Sequence, residues 1–153
     1  MTISFVGRSY VAMSDKVKEI VKEQIINSIT DAEHITCYLG GRGDFDEICA
    51  RVLRELKRDY PEIEMVYVTP YMSLSEQAKI KEMQRRGLYD YSIYPPIENA
   101  LPRFSILKRN EWMMENADLV IAYVNRSYGG AYKTLQFAIR RKKNIINIYD
   151  LLQ

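Results

Sequence analysis

The chain is predicted to fold as a single α/β domain over residues 1–153, a mostly parallel sheet of about six strands with helices on both faces. Three observations predict it. Strand-type and helix-type patterns alternate from one end of the chain to the other. Leu119 to Val124 is apolar at every position, as a central parallel strand covered on both sides requires. Three strand-type runs reach glycine shortly before a helix, the arrangement of a Rossmann-like domain that binds a ligand at its strand ends.

Each element follows from its own residues. Ile3 to Val6 is short, β-branched and aromatic, and stops at Gly7. Ser14 is read as an N-cap, after which Val17, Ile20, Val21, Ile25 and Ile29 recur at helical spacing. Ile35 to Leu39 is the second strand, ending in Gly40-Gly41. Phe45, Ile48, Cys49, Val52, Leu53 and Leu56 then mark the cleanest amphipathic helix in the chain. Ile63 to Val68 is the third strand, stopped by Thr69-Pro70. Ser73-Leu74-Ser75-Glu76 is a capping box that opens a short helix fading at Gly87. Tyr89 to Tyr94 reads as a fourth strand, ended by Pro95-Pro96. Ile106, Asn110, Met113, Met114 and Ala117 describe a further helix. Leu119 to Val124, a helix from about Tyr132 to Lys142, and a strand from Asn144 to Ile148 complete the order.

Composition narrows the function classes. The chain of 153 residues is 47% apolar and 27% charged, values of a globular protein rather than a disordered or fibrous one. No apolar run approaches the roughly 20 residues of a membrane span, and no secretory signal precedes the first strand, so a cytoplasmic protein with no membrane partner is expected. Cys37 and Cys49 lie inside apolar patterns and suggest no disulfide framework. His34 and Cys37 form His-x-x-Cys without a second ligand pair, so neither metal nor cofactor is expected. The net charge of +2 conceals an asymmetry: Asn99 to Lys143 holds nine Lys/Arg against three acids. Four of those bases form the run Arg140 to Lys143, which reads first as a solvated helix face.

The glycine turns carry the functional reading. Gly7-Arg8-Ser9, Gly40-Gly41-Arg42-Gly43 and Ser127-Tyr128-Gly129-Gly130 all lie where a strand gives way to a helix. Glycine there lets the backbone approach a phosphate, and the helix N-terminus supplies free N–H groups; tight turns also need glycine for their own geometry. The spacing is neither Gly-x-Gly-x-x-Gly nor a P-loop.

The motifs Phe5-Val6-Gly7, Tyr38 to Asp46, Tyr94-Pro95-Pro96, Arg103 to Asn110 and Gly129 to Leu135, in this order, resemble the YpsA-like branch of the SLOG superfamily. That superfamily joins the Lonely Guy (LOG) phosphoribohydrolases and the DNA-processing protein DprA to sensors of nucleotide-derived signals. The resemblance implies a nucleotide-ligand fold. It places Gly40, Gly41 and Gly43 at the second-strand glycine turn of the LOG enzymes and Arg109 at their helix arginine. Gly129, Gly130 and Thr134 match their last turn, which here lacks its proline and is one residue longer. The position of their catalytic acid is Phe137.

Arg109 is taken as the principal ligand arginine, its guanidinium forked onto a phosphate. Asp44 and Asp46 are read either as contacts to a ribose hydroxyl or a metal, or as caps of the helix that opens near Phe45. Thr134 is expected to touch phosphate or to bond back to its own helix, and Lys133 to neutralise charge. Gly7, Arg8, Ser9 and Ser127 join these as lining residues. Glu111 and Glu115, four apart on one helix, read as a solvated face. The scattered tyrosines argue against a base-stacking platform.

The leading expectation is therefore binding or sensing of a nucleotide-derived small molecule. The first alternative is a LOG-like N-glycosidic hydrolase with Glu111, Glu115 or Asp46 in place of the lost acid. The second is a DprA-like accessory protein using Arg140 to Lys143 on phosphates. With a net charge of only +2, nucleic acid is not expected as the partner. A homodimer or higher oligomer is expected by analogy with the LOG enzymes, supported by the cluster Trp112, Met113 and Met114.

Overall fold

The computed structural model describes residues 1–152. Six strands, β1 (Thr2–Gly7), β2 (Ile35–Leu39), β3 (Ile63–Val68), β4 (Tyr91–Ile93), β5 (Leu119–Tyr123) and β6 (Asn144–Asn147), form one sheet in the order β4-β3-β2-β1-β5-β6. Every pairing is parallel. The helices are α1 (Ser14–Ile29), α2 (Gly43–Leu56), α3 (Leu74–Arg85), α4 (Ser105–Glu115) and α5 (Gly130–Arg140), with 3-10 turns at Pro102–Phe104 and Ile148–Leu151. This is the α/β, Rossmann-like architecture that the alternation of patterns predicts, with β1 and β5 both interior strands.

Alternation along the strands sorts the core into two layers. Ile3, Phe5, Cys37, Leu39 and Ile121 pack under α1 and α2, whose buried stripes are Val17, Val21, Ile25 and Ile29, and Phe45 to Leu56. Val6, Val66, Val120 and Ala122 face Met113, Met114, Leu135 and Ala138 of α4 and α5. Ser4, on this second face of β1, is fully buried and donates to the Met113 carbonyl at 2.6 Å.

Four local expectations are corrected. Met13, not Ser14, occupies the cap of α1, in the left-handed region at φ 54° and with no side-chain cap bond. The fourth strand is shorter than Tyr89 to Tyr94, because the Asp90 carboxylate itself accepts the Met65 N–H (2.7 Å) while also holding Lys57. The last strand stops at Asn147, where the Asn147 amide exchanges two hydrogen bonds with Val124 and Ile148 enters a turn. Met113 and Met114 are core residues and Trp112 packs on the Tyr38 ring at 5.2 Å between centroids, so the cluster that supported a homodimer is consumed within the chain.

Helix α3 differs from the others. Its only buried residue is Glu76, whose carboxylate accepts the Tyr67 hydroxyl (2.7 Å) and the Thr69 hydroxyl. The capping box holds in half: Ser73 Oγ accepts the Glu76 N–H, but the Glu76 side chain turns inward to β3 instead of back to Ser73. Burial works against charge on Glu76, but the two hydroxyls, with Lys79 and Arg42 nearby, prevail and hold its carboxyl below the usual range.

Candidate functional site

From β1 the chain steps outward through β2 and β3 to β4, then crosses back to β5 on the other side of β1. The strand order therefore reverses between β1 and β5. A doubly wound sheet opens a crevice at such a point, outside the carboxyl ends of its strands. A cavity of about 250 Å³ lies there, between the ends of β1 and β2 and the start of α5.

Eight of the residues singled out in the sequence line it: Gly7, Arg8, Ser9, Gly40, Gly43, Asp46, Arg109 and Gly130. Five do not: Gly41, Ser127, Gly129, Lys133 and Thr134. Gly41 faces a neighbouring groove beside Tyr89. Ser127 and Lys133 are exposed, and Gly129 is covered by the Arg126 guanidinium. Thr134 is fully buried, and its hydroxyl has no partner among the described residues, neither a neighbouring group nor its own helix. Phe137, at the position of the LOG acid, does not line the crevice; it packs toward α4 with Arg140 and Arg141 over its ring.

The glycines divide into two kinds. At Gly40 a Cβ would lie 2.9 Å from Arg109 Cζ, and at Gly7 one would lie 2.3 Å from the Phe45 ring. These two are glycine because protein atoms need the space. A Cβ on Gly130 meets nothing within 4 Å, so the start of α5 is open.

Arg109 has a different task from the one its sequence position suggests. It is 2% exposed, and its Nη1 donates to the carbonyls of Val68 (2.7 Å) and Gly40 (3.2 Å), with Nε on Asn110. The guanidinium thus ties the ends of β2 and β3 to α4 and forms the crevice floor. Asp46 is likewise buried and accepts the backbone N–H of Arg42, the residue that caps α2. Burial pushes its carboxyl up to about 6, opposed by the Arg42 and Gly41 N–H groups and by the charge of Arg109. Asp44 accepts the Val11 N–H. Both acids thus serve the local backbone around the start of α2.

The basic side chains free to meet a ligand are at the rim. Arg8 bonds Asn125 through Nη1 (3.0 Å), while its Nε is buried with no partner among the described residues. Arg42 and Arg126 line the same cavity, and neither position stood out in the sequence as a ligand residue. The signal was there, since Arg42 stands between two glycines and Arg126 three residues before Gly129, each in a strand-to-helix turn. Arg42 lies over Tyr71 (5.5 Å to the ring centroid) and Arg126 over Tyr128 (4.4 Å). No acid stands in the first turn of α5, and no described residue accepts from the N–H groups of Gly130, Ala131 and Tyr132. At α2, by contrast, Asp44 and Phe45 donate to the carbonyls of Ser9 and Arg8. An anion in this crevice therefore meets the positive end of α5 and three arginines, beside one carboxylate whose charge is disfavoured.

The run Arg140 to Lys143 lies elsewhere. It joins α5 to the start of β6, on the edge of the sheet opposite the crevice. Lys143 donates to the carbonyls of Glu115 and Ala117 at the end of α4, and Arg141 pairs with Glu115.

Neither a family model nor a curated protein matches the chain. Solved structures do. DNA processing protein A from Streptococcus pneumoniae superposes with a TM-score of 0.64 at 14% identity, over 94% of this chain and 48% of that one. The fold is similar to that protein's. DNA processing protein A from Helicobacter pylori, described by its single-stranded DNA binding mode, superposes with a TM-score of 0.59 at 15% identity, over 95% of this chain and 63% of that one. This chain thus spans about half to just under two thirds of the length of these neighbours. The likeness overturns the expectation that excluded nucleic acid as a partner: the same fold is carried by a protein that binds single-stranded DNA. Net charge does not decide the matter, because phosphate contacts depend on where the cations stand and not on their sum. No described helix is long and apolar enough to cross a membrane.

Proposed function

We propose that this protein binds single-stranded nucleic acid, with a backbone phosphate seated at the start of α5 among Arg8, Arg42 and Arg126. The convergence of these three arginines on the uncapped helix at the sheet's switch point carries the reading. The similarity of fold to a protein described as binding single-stranded DNA supports it. The residues belong to the crevice rim and not to the run Arg140 to Lys143, which the sequence pointed to.

The cavity volume of about 250 Å³ favours a second, narrower reading, in which the ligand is a single nucleotide or nucleotide derivative. That is somewhat below the ~300–1,000 Å³ of sites that enclose a drug-sized molecule, and suits one nucleotide unit.

The two separate by titration of a labelled single-stranded oligonucleotide at several salt concentrations, with mononucleotides as competitors. Binding should weaken steeply with salt, by about 0.7 in log–log slope per phosphate contacted. Arg126→Ala and Arg42→Ala should each lower affinity and flatten that slope by roughly one contact. Full displacement by a mononucleotide at comparable concentration would favour the narrower reading. Absence of salt-dependent binding to any oligonucleotide at low salt would overturn the main one.

A further inference from the structure

We propose that a groove beside the crevice is a base-binding subsite for a neighbouring nucleotide of the same strand, an inference that rests on the reading above. The groove, of about 290 Å³, lies where β3 and β4 end. Its walls are Pro70, Tyr71, Tyr94, Ile97 and Pro102, with Ser73 and Glu98 at its polar edge.

Position and chemistry both point to a base. Pro70 to Ser73 follow β3 and Tyr94 to Ile97 follow β4, so the groove opens on the same sheet edge as the crevice, which β2 borders. Arg42 connects the two: it lines the crevice and its guanidinium lies over the Tyr71 ring, which lines the groove. A phosphate held by Arg42 thus leaves its attached nucleoside beside an aromatic wall. The half-buried Tyr71 and Tyr94 present flat apolar faces suited to stacking, which any base satisfies. The Glu98 carboxylate, at the groove's polar edge, can accept from the N–H groups of a base. Tyr71 is also positioned from within the protein, since Thr69 Oγ1 accepts its N–H and donates to its carbonyl. A peptide in this groove would have no use for the adjoining phosphate seat.

The test compares a thymidine oligomer with an abasic oligomer of equal length and charge, bound to the full chain. The wild type should bind the thymidine oligomer more tightly, by about fivefold to a hundredfold. Tyr94→Leu, which leaves the Arg42–Tyr71 contact in place, should erase most of that difference while abasic binding stays unchanged. Tyr71→Leu should do the same and also weaken abasic binding slightly through Arg42. Abasic binding doubles as the check that each variant is folded. A wild type that binds both oligomers equally, or variants that keep the full difference, would overturn the subsite and leave the crevice reading standing. Binding of neither oligomer by the wild type would remove both.

Discussion

At the scale of single residues, the lesson of the crevice is that an arginine at a ligand site need not be a ligand's arginine. Arg109 was legible in the sequence as a charged residue on the helix before the central strand. What the sequence withheld was its burial, which depends on two carbonyls 41 and 69 positions away. Replacing it leaves the Val68 and Gly40 carbonyls without their donor in a dry place, and each such loss costs about 1–3 kcal/mol. Arg109→Ala should therefore lower stability by roughly 3 kcal/mol or more, a fall in melting temperature of about 6–12 °C with no ligand present. A thermal melt checks this directly. Arg126→Ala, at an exposed position, should leave the same melt within a degree or two while weakening binding.

Among the elements, those written in apolar periodicity were legible and those held by polar contacts were not. The stripe of α2 and the continuous run of β5 announce their burial, because each residue's fate follows from its neighbours in sequence. The start of β4 and the seat of α3 depend instead on one carboxylate apiece, Asp90 and Glu76, whose partners come from elsewhere in the chain. For α3 this has a measurable outcome. The Glu76 carboxyl is held below its ordinary value in the folded protein, so its contribution is complete above about pH 4.5 and is lost as the pH falls through its folded value. Hydrogen exchange should show the amides of 74–85 opening first on acidification, ahead of α2. Glu76→Ala should produce the same loosening at neutral pH, since Tyr67 and Thr69 lose their shared acceptor. Uniform protection of α2 and α3 in that variant would show that other contacts secure α3.

For the molecule as a whole, charge is divided between the two edges of the sheet. A strand of five or six residues spans roughly 17–20 Å, so the run Arg140 to Lys143 stands at about that distance from the crevice. The screening length is about 10 Å at 0.1 M salt. Arg140→Glu combined with Lys142→Glu should thus change oligonucleotide affinity less than twofold at 0.15 M salt, and noticeably only near 0.01 M. Isotherms at the two ionic strengths decide it; a large loss at 0.15 M would return the run to the binding surface. The same division bears on how such a molecule changes over generations. Gly40 and Arg109 are interlocked, for the guanidinium occupies the space that any larger residue at 40 would claim, and its loss would strand the carbonyl of that very glycine. Drift at either position alone is closed. Arg8, Arg42 and Arg126 carry no such bond between them, and each can be exchanged while the floor beneath persists. A lineage built on this fold can therefore trade one ligand for another at its rim and inherit the foundation intact.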